Sequence, residues 1–290
     1  MKKFFLIAAA SFALFACSKQ DTLQQVKDDE GTKVFYATTE GAGIAGTKVY
    51  ADSKLRLLWN ADDRITVFDR LTLNVQYRFT GEDGANAGEF EKIPYSGFAT
   101  GNDLDSTFAV YPYLKANKID NSGTKLTVTI PSSQTFKEHS FGIGSTVMTA
   151  VTKEKDDYIL LFKHVCGYLR LRLYAASASV SSISIQGNNS EKIAGKGFVN
   201  HPVDGFPSIT MDASATATIT LNCATAVTLD TSSDDYTEFI IAIPPVTFAN
   251  GFKIVVTDPD GRTFEKTTSK SLEIKRATIE SMGALEVVFP

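Results

Sequence analysis

The chain has 290 residues, room for two domains of ordinary size, and its 43% hydrophobic and 21% charged residues are those of a globular protein. A formal net charge of −4, with no cluster of Lys and Arg, excludes a nucleic-acid footprint. Three cysteines and three widely separated histidines (His139, His164, His201) exclude a dense disulfide framework and the usual short metal-binding spacings.

Residues 1–16 have the form of an export signal. Lys2 and Lys3 supply its positive start, and the apolar run Phe4–Ala16 is shorter than the roughly 20 residues a membrane-spanning helix needs. The run closes on Leu14-Phe15-Ala16-Cys17, which resembles the bacterial lipobox. That resemblance implies that Cys17 is diacylated and becomes the mature N-terminus, held at a membrane by its acyl chains. Cleavage removes Lys2 and Lys3 and so takes the formal charge from −4 to −6. Residues 17–32 are polar, without aromatic side chains, and are expected to be a flexible tether.

Lys33–Thr38 is the first expected strand. Gly41–Gly46 spells G-x-G-x-x-G, but the following TKVYADSKLRLLW has no helical period, so a loop between strands is expected and no dinucleotide cofactor. Strands follow at Lys54–Trp59, Arg64–Phe68 and Leu73–Phe79, near Phe90, and at Thr107–Tyr113. Asn121-Ser-Gly123 sits between Lys118–Asp120 and Lys125–Ile130 as a hairpin signal. Ser122 to Lys125 matches S-x-x-K, yet the companion motifs of that hydrolase class are missing.

Tyr158–Tyr174 (YILLFKHVCGYLRLRLY) is the organising stretch. Leu169, Leu171 and Leu173 share one side, with Tyr168, Arg170, Arg172 and Tyr174 on the other: the period of two of a half-buried strand. Tyr158–Phe162 is apolar on both parities and is expected to be covered on both faces. The stretch reads as the seam between an N-terminal domain, 33–160, and a C-terminal domain, 161–290. Further strands are expected at Val180–Ile185, Lys192–Val199, Ser208–Met211, Thr216–Asn222 and Glu238–Ile243. The last four are Phe252–Thr257, Arg262–Thr267, Ser271–Lys275 and Ala284–Phe289. Asp258-Pro-Asp-Gly261 has turn chemistry, with too few oxygens for a calcium loop. Many short strands separated by turn signals specify an all-β chain of β-sandwiches. Cys166 and Cys223 could pair in an oxidising compartment, or Cys166 could be a buried free thiol in its strand. His164, inside the seam, is expected to be a hydrogen-bonded structural imidazole. Trp59 is expected in the core.

Several segments together resemble the fimbrillin-like (Mfa-like) surface lipoproteins of Bacteroidales. They are the lipobox at Cys17 and Leu55–Phe68, where Trp59, Asp63, Ile65, Val67 and Phe68 fit W-x-x-x-D-x-I-x-V-F. Phe162-Lys-His164 leading into Tyr168, with Phe239–Pro245, Gly251–Val256 and Glu273–Arg276, extends the likeness over most of the mature chain. The resemblance implies two tandem transthyretin-like Greek-key sandwiches on the outer membrane, other fimbrillin-like subunits and a host or bacterial surface receptor as partners, and no catalytic activity, cofactor or metal. It also implies assembly by donor-strand exchange, with a protease cutting after a basic residue beyond the first strand. Lys48 is the nearest such residue, and Arg56 the first arginine. The last strand ends close to Pro290, which favours a tip, anchor-associated or stand-alone adhesin over a shaft subunit. A glycan-binding surface lipoprotein is the alternative; it would need exposed aromatics, for which Trp59 and the Tyr111–Tyr113 pair are the candidates.

Overall fold

A computed structural model describes residues 33–40, 58–69, 71–94, 102–154 and 156–290. Cys17, Lys48, Arg56 and the Gly41–Gly46 motif lie outside them. The described residues form strands and connecting turns, with no helix.

The first eleven strands are β1 (Val34–Thr39), β2 (Arg64–Phe68), β3 (Val75–Phe79), β4 (Ala87–Lys92), β5 (Phe108–Tyr111) and β6 (Lys118–Ile119), then β7 (Leu126–Ile130), β8 (Ser133–Lys137), β9 (Ser140–Phe141), β10 (Met148–Val151) and β11 (Ile159–His164). Seven of them close on themselves in the order β1-β11-β10-β5-β2-β3-β4, with β4 pairing back onto β1. Closure leaves these strands no free edge. Inside, alternate residues pack as a period of two demands: Trp59 is fully buried, with the rings of Phe90, Tyr111 and Phe162 edge-on at 5.0, 5.5 and 5.4 Å.

The second set is β12 (Gly167–Tyr174), β13 (Ser179–Gly187), β14 (Gly195–Asn200), β15 (Ser208–Met211), β16 (Thr218–Thr228) and β17 (Thr237–Ile243), then β18 (Val246–Phe248), β19 (Phe252–Thr257), β20 (Thr263–Thr268), β21 (Leu272–Ile274) and β22 (Ile279–Glu286). A three-stranded sheet, β17-β12-β22, and a six-stranded sheet, β20-β19-β13-β16-β8-β9, both contribute to a second core. Leu169, Leu171 and Leu173 point into it, as their spacing requires, alongside Ile183, Ile185, Phe239 and Ile254.

The change of core falls between Tyr168 and Leu169 on one strand, whereas residues 160 and 161 lie inside β11. The halves also trade strands. β7, from the first half, pairs with β14, and β8 runs parallel to β16 in the six-stranded sheet. The Gln134 side chain completes the join: its Nε2 donates to Ala242 O (2.7 Å) and its Oε1 accepts from Ala242 N (3.0 Å), occupying the edge of β17. Tyr158–Phe162 differs from its expected cover: Leu160 and Phe162 are fully buried, but Leu161 is 43% exposed. One face of β11 fills the barrel and the other looks partly outward.

Candidate assembly site

The first strand occupies a slot in the barrel wall. β1 runs parallel to β11, Tyr36 opposite Ile159 and Thr39 opposite Phe162, and antiparallel to β4, Phe35 opposite Phe90. Phe35, Ala37 and Thr39 point inward and are buried; Tyr36 and Thr38 are half-buried. Phe35 meets Tyr77 edge-on at 5.2 Å and Tyr158 at 5.6 Å, and its burial alone contributes about 2 kcal/mol. Burial, with the nearby Asp69 charge, pushes the Tyr77 phenol well above its ordinary value, so it stays neutral. At the entrance Lys33 Nζ lies 2.6 Å from Asp69 and 5.3 Å above the Tyr158 ring.

Glu40, just after β1, ties the slot to the seam. Its Oε1 accepts from His164 N–H (2.6 Å) and from Arg276 Nη1, and Arg276 also donates to His164 O at 3.1 Å. Beneath this contact the His164 Nδ1 and Thr146 Oγ1 atoms flank the Tyr168 hydroxyl at 2.7 and 2.8 Å, while Phe141 stacks on the Tyr168 ring at 4.8 Å. His164 is thus a hydrogen-bonded structural imidazole at the junction of the two cores. Tyr168 departs from the pattern: it lies on the polar side of β12, yet is fully buried beneath the barrel. Burial raises its phenol far above the ordinary range.

The other candidates fall into structural roles. Trp59 and Tyr111 are 0% and 4% exposed, so neither presents a flat ring to a sugar. The Tyr111–Pro112 segment ends a central strand between β10 and β2, not an edge. Asp63 is buried; it accepts Asn60 N–H (2.8 Å) and the Tyr111 hydroxyl (3.3 Å), and burial outweighs these bonds to raise its carboxyl. Asp258 accepts from Arg262 N (2.8 Å), Arg262 Nε (2.7 Å) and Asp260 N (3.0 Å). Burial pushes the Asp258 carboxyl up, but these donors and the Arg262 charge bring it below the ordinary value. Turn chemistry therefore accounts for Asp258–Gly261, where Gly261 takes φ 82°. Among the described residues no three His, Cys, Asp or Glu side chains gather as metal ligands.

Cys166 and Cys223 are free thiols, one fully buried and one partly so; burial pushes both up to about 11. His201 lies in a loop yet is only 5% exposed, with Nδ1 2.9 Å from Thr149 Oγ1 on β10. Its Nε2 has no hydrogen-bond partner among the described residues. Burial, then the Lys163 and Arg276 charges, pull the imidazole down to about 4. Residues Glu40, Gln134, His201 and Arg276 carry no local pattern that marks them. Their roles arise from contacts 52 to 236 residues away in the chain.

Two β cores that share β12 and are tied also through β7 and β8, one of them sealed by the chain's own first strand, make the described residues all-β. The chain belongs to the fimbrillin-like family, whose model matches residues 47–282. No curated protein is similar enough to match. Among solved structures the chain is similar to a candidate cell adhesion protein from Bacteroides uniformis, at 17% identity over 90% of this chain and 94% of that one, with a TM-score of 0.47. It is similar also to one from Bacteroides ovatus, at 14% identity over 83% and 87%, TM-score 0.47. The tip fimbrial protein Mfa3 of Porphyromonas gingivalis follows at 10% identity over 81% of each chain, TM-score 0.26.

Proposed function

We propose that this chain is a lipid-anchored adhesin or fimbrial subunit of the outer membrane, assembled with other fimbrillin-like subunits through the β1 slot. Family membership supports the surface and fimbrial role. The observation that carries the assembly reading is the pairing of β1 on both edges, with Phe35, Ala37 and Thr39 set into the barrel. Loss of that strand would leave the β4 and β11 edges unpaired above an apolar trough, which a strand of alternating character from another subunit fits.

Residues 41–57 link β1 to the rest of the chain and contain Lys48 and Arg56. A cut after Lys48 makes β1 a non-covalent occupant of its slot and hence exchangeable. Lipid on Cys17 holds the uncut form at the membrane, and the role needs no reacting centre.

Mass spectrometry of the N-termini on intact cells tests this. The expected result is diacylated Cys17 on anchored protein and a start at Val49 on assembled protein. A start at Cys17 in every form removes the processing step, and retention of the membrane-bound state by Cys17→Ser removes the lipid anchor.

A further inference from the structure

We infer that the fold bears tension between its two ends through two parallel strand ladders in series, carried on the single segment Ile159–Tyr174 and bridged by Glu40 and Arg276. This goes beyond the adhesive reading and stands on strand topology and one side-chain pair.

β11 and β12 are consecutive strands separated only by the buried pair Val165 and Cys166, so they act as one spine across both cores. Each carries a flanking strand in the same direction. β1 lies parallel to β11, from Tyr36:Ile159 to Thr39:Phe162. β22 lies parallel to β12, from Tyr168:Ile279 to Tyr174:Glu286, with a bulge at Met282–Gly283. Backbone bonds extend both ladders: Tyr36 N to Tyr158 O (2.9 Å) and Glu40 N to Phe162 O (2.8 Å) on the first, Val287 N to Tyr174 O (2.9 Å) on the second.

A pull that separates Lys33 from Pro290 loads β1 at its N-terminal end and β11 at its C-terminal end, where it continues into β12. In a parallel pair those are opposite ends. The ladder is therefore loaded in shear, all its hydrogen bonds at once, instead of opening one by one. The same holds for β12, drawn from its N-terminal end, and β22, drawn from its C-terminal end.

The inner ends of the two flanking strands are also linked directly. Glu40 follows β1, Arg276 precedes β22, and the two side chains are paired over the His164 backbone. This pair offers a second load path around Val165–Cys166. The joints differ in strength, since β1 is gripped on both sides, by β11 and β4, whereas among the described residues β22 pairs with β12 alone.

Single-molecule force spectroscopy on the full chain tests this without altering the fold. Handles at Lys33 and Pro290 load both ladders in shear; handles at Lys33 and the exposed Asp156 load β1 and β11 from the same end. Forced rupture follows the unfolding barrier, and the end-to-end geometry should need about twofold more force or higher. Equal forces in the two geometries overturn the proposal. Arg276→Gln should lower the end-to-end force and leave the Lys33–Asp156 force unchanged; an unchanged end-to-end force removes the bridge from it.

Discussion

Replacing His201 with Gln should flatten the dependence of stability on pH between about 6.5 and 4. In the folded protein the imidazole sits against Thr149 with Lys163 and Arg276 nearby, and it takes a proton only near pH 4, against an ordinary value of 6.5. In the unfolded chain it takes one near 6.5. Between these values the unfolded state binds more protons, so stability falls as pH falls through the window and is fully present above it. The difference of roughly 2.5 units, at 1.36 kcal/mol each, is about 3 kcal/mol. Asp120, Asp212 and Asp258 are held below their ordinary values by hydrogen bonds, and their contributions are lost only as pH falls below about 4. Asp63, raised by burial, acts in the opposite sense, but subtracting the variant from the wild type removes all four carboxylates. Urea unfolding at pH 7, 6, 5 and 4.5 gives the two curves. The wild type should lose stability relative to His201→Gln as the pH drops. Curves that stay parallel would refute the burial argument for this residue.

Trp59→Ala should destabilise the protein by about 3–5 kcal/mol, because the cavity lies among four packed rings; chemical denaturation measures it. Trp59 is the one tryptophan, so native emission should be blue-shifted and move red in a single transition on unfolding. With both thiols raised to about 11, neither Cys166 nor Cys223 should react readily with a thiol reagent at pH 8 until denaturant is added, and Cys166 should be the slower. Gln134→Ala should loosen the hold of β8 on β17 by about 1–3 kcal/mol, since it leaves the buried Ala242 N–H and C=O unsatisfied. Hydrogen exchange at Ala242 reads that change locally.

Strands whose own side chains alternate, and are bounded by turn residues, are legible in the sequence. Arg64–Phe68, Ser208–Met211 and Phe252–Thr257 occupy the ranges their patterns specify. β8 and β10 are not legible: Ser133–Lys137 is largely polar, and Met148–Val151 is too short to show a period. Distant partners hold them, β16 for one and β5 with β11 for the other. β22 begins five residues before its expected start at Ala284, because backbone pairing to β12 holds Ile279–Glu286, whose side chains are mostly exposed or half-buried. The slot is half legible. Lys33–Thr38 announces a strand, but nothing local tells that it lies between β11 and β4, or that Glu40 reaches Arg276.

The most direct measurement is strand exchange at the β1 slot. Protein cut after Lys48 is incubated in mild denaturant with an isotope-labelled peptide spanning residues 33–48, returned to buffer, and weighed by native mass spectrometry. Replacement of the chain's own segment by the labelled one, with recovery of the native unfolding midpoint, is the expected result. Cut protein that never releases its strand, or that releases it and refuses the peptide, would contradict assembly through this slot.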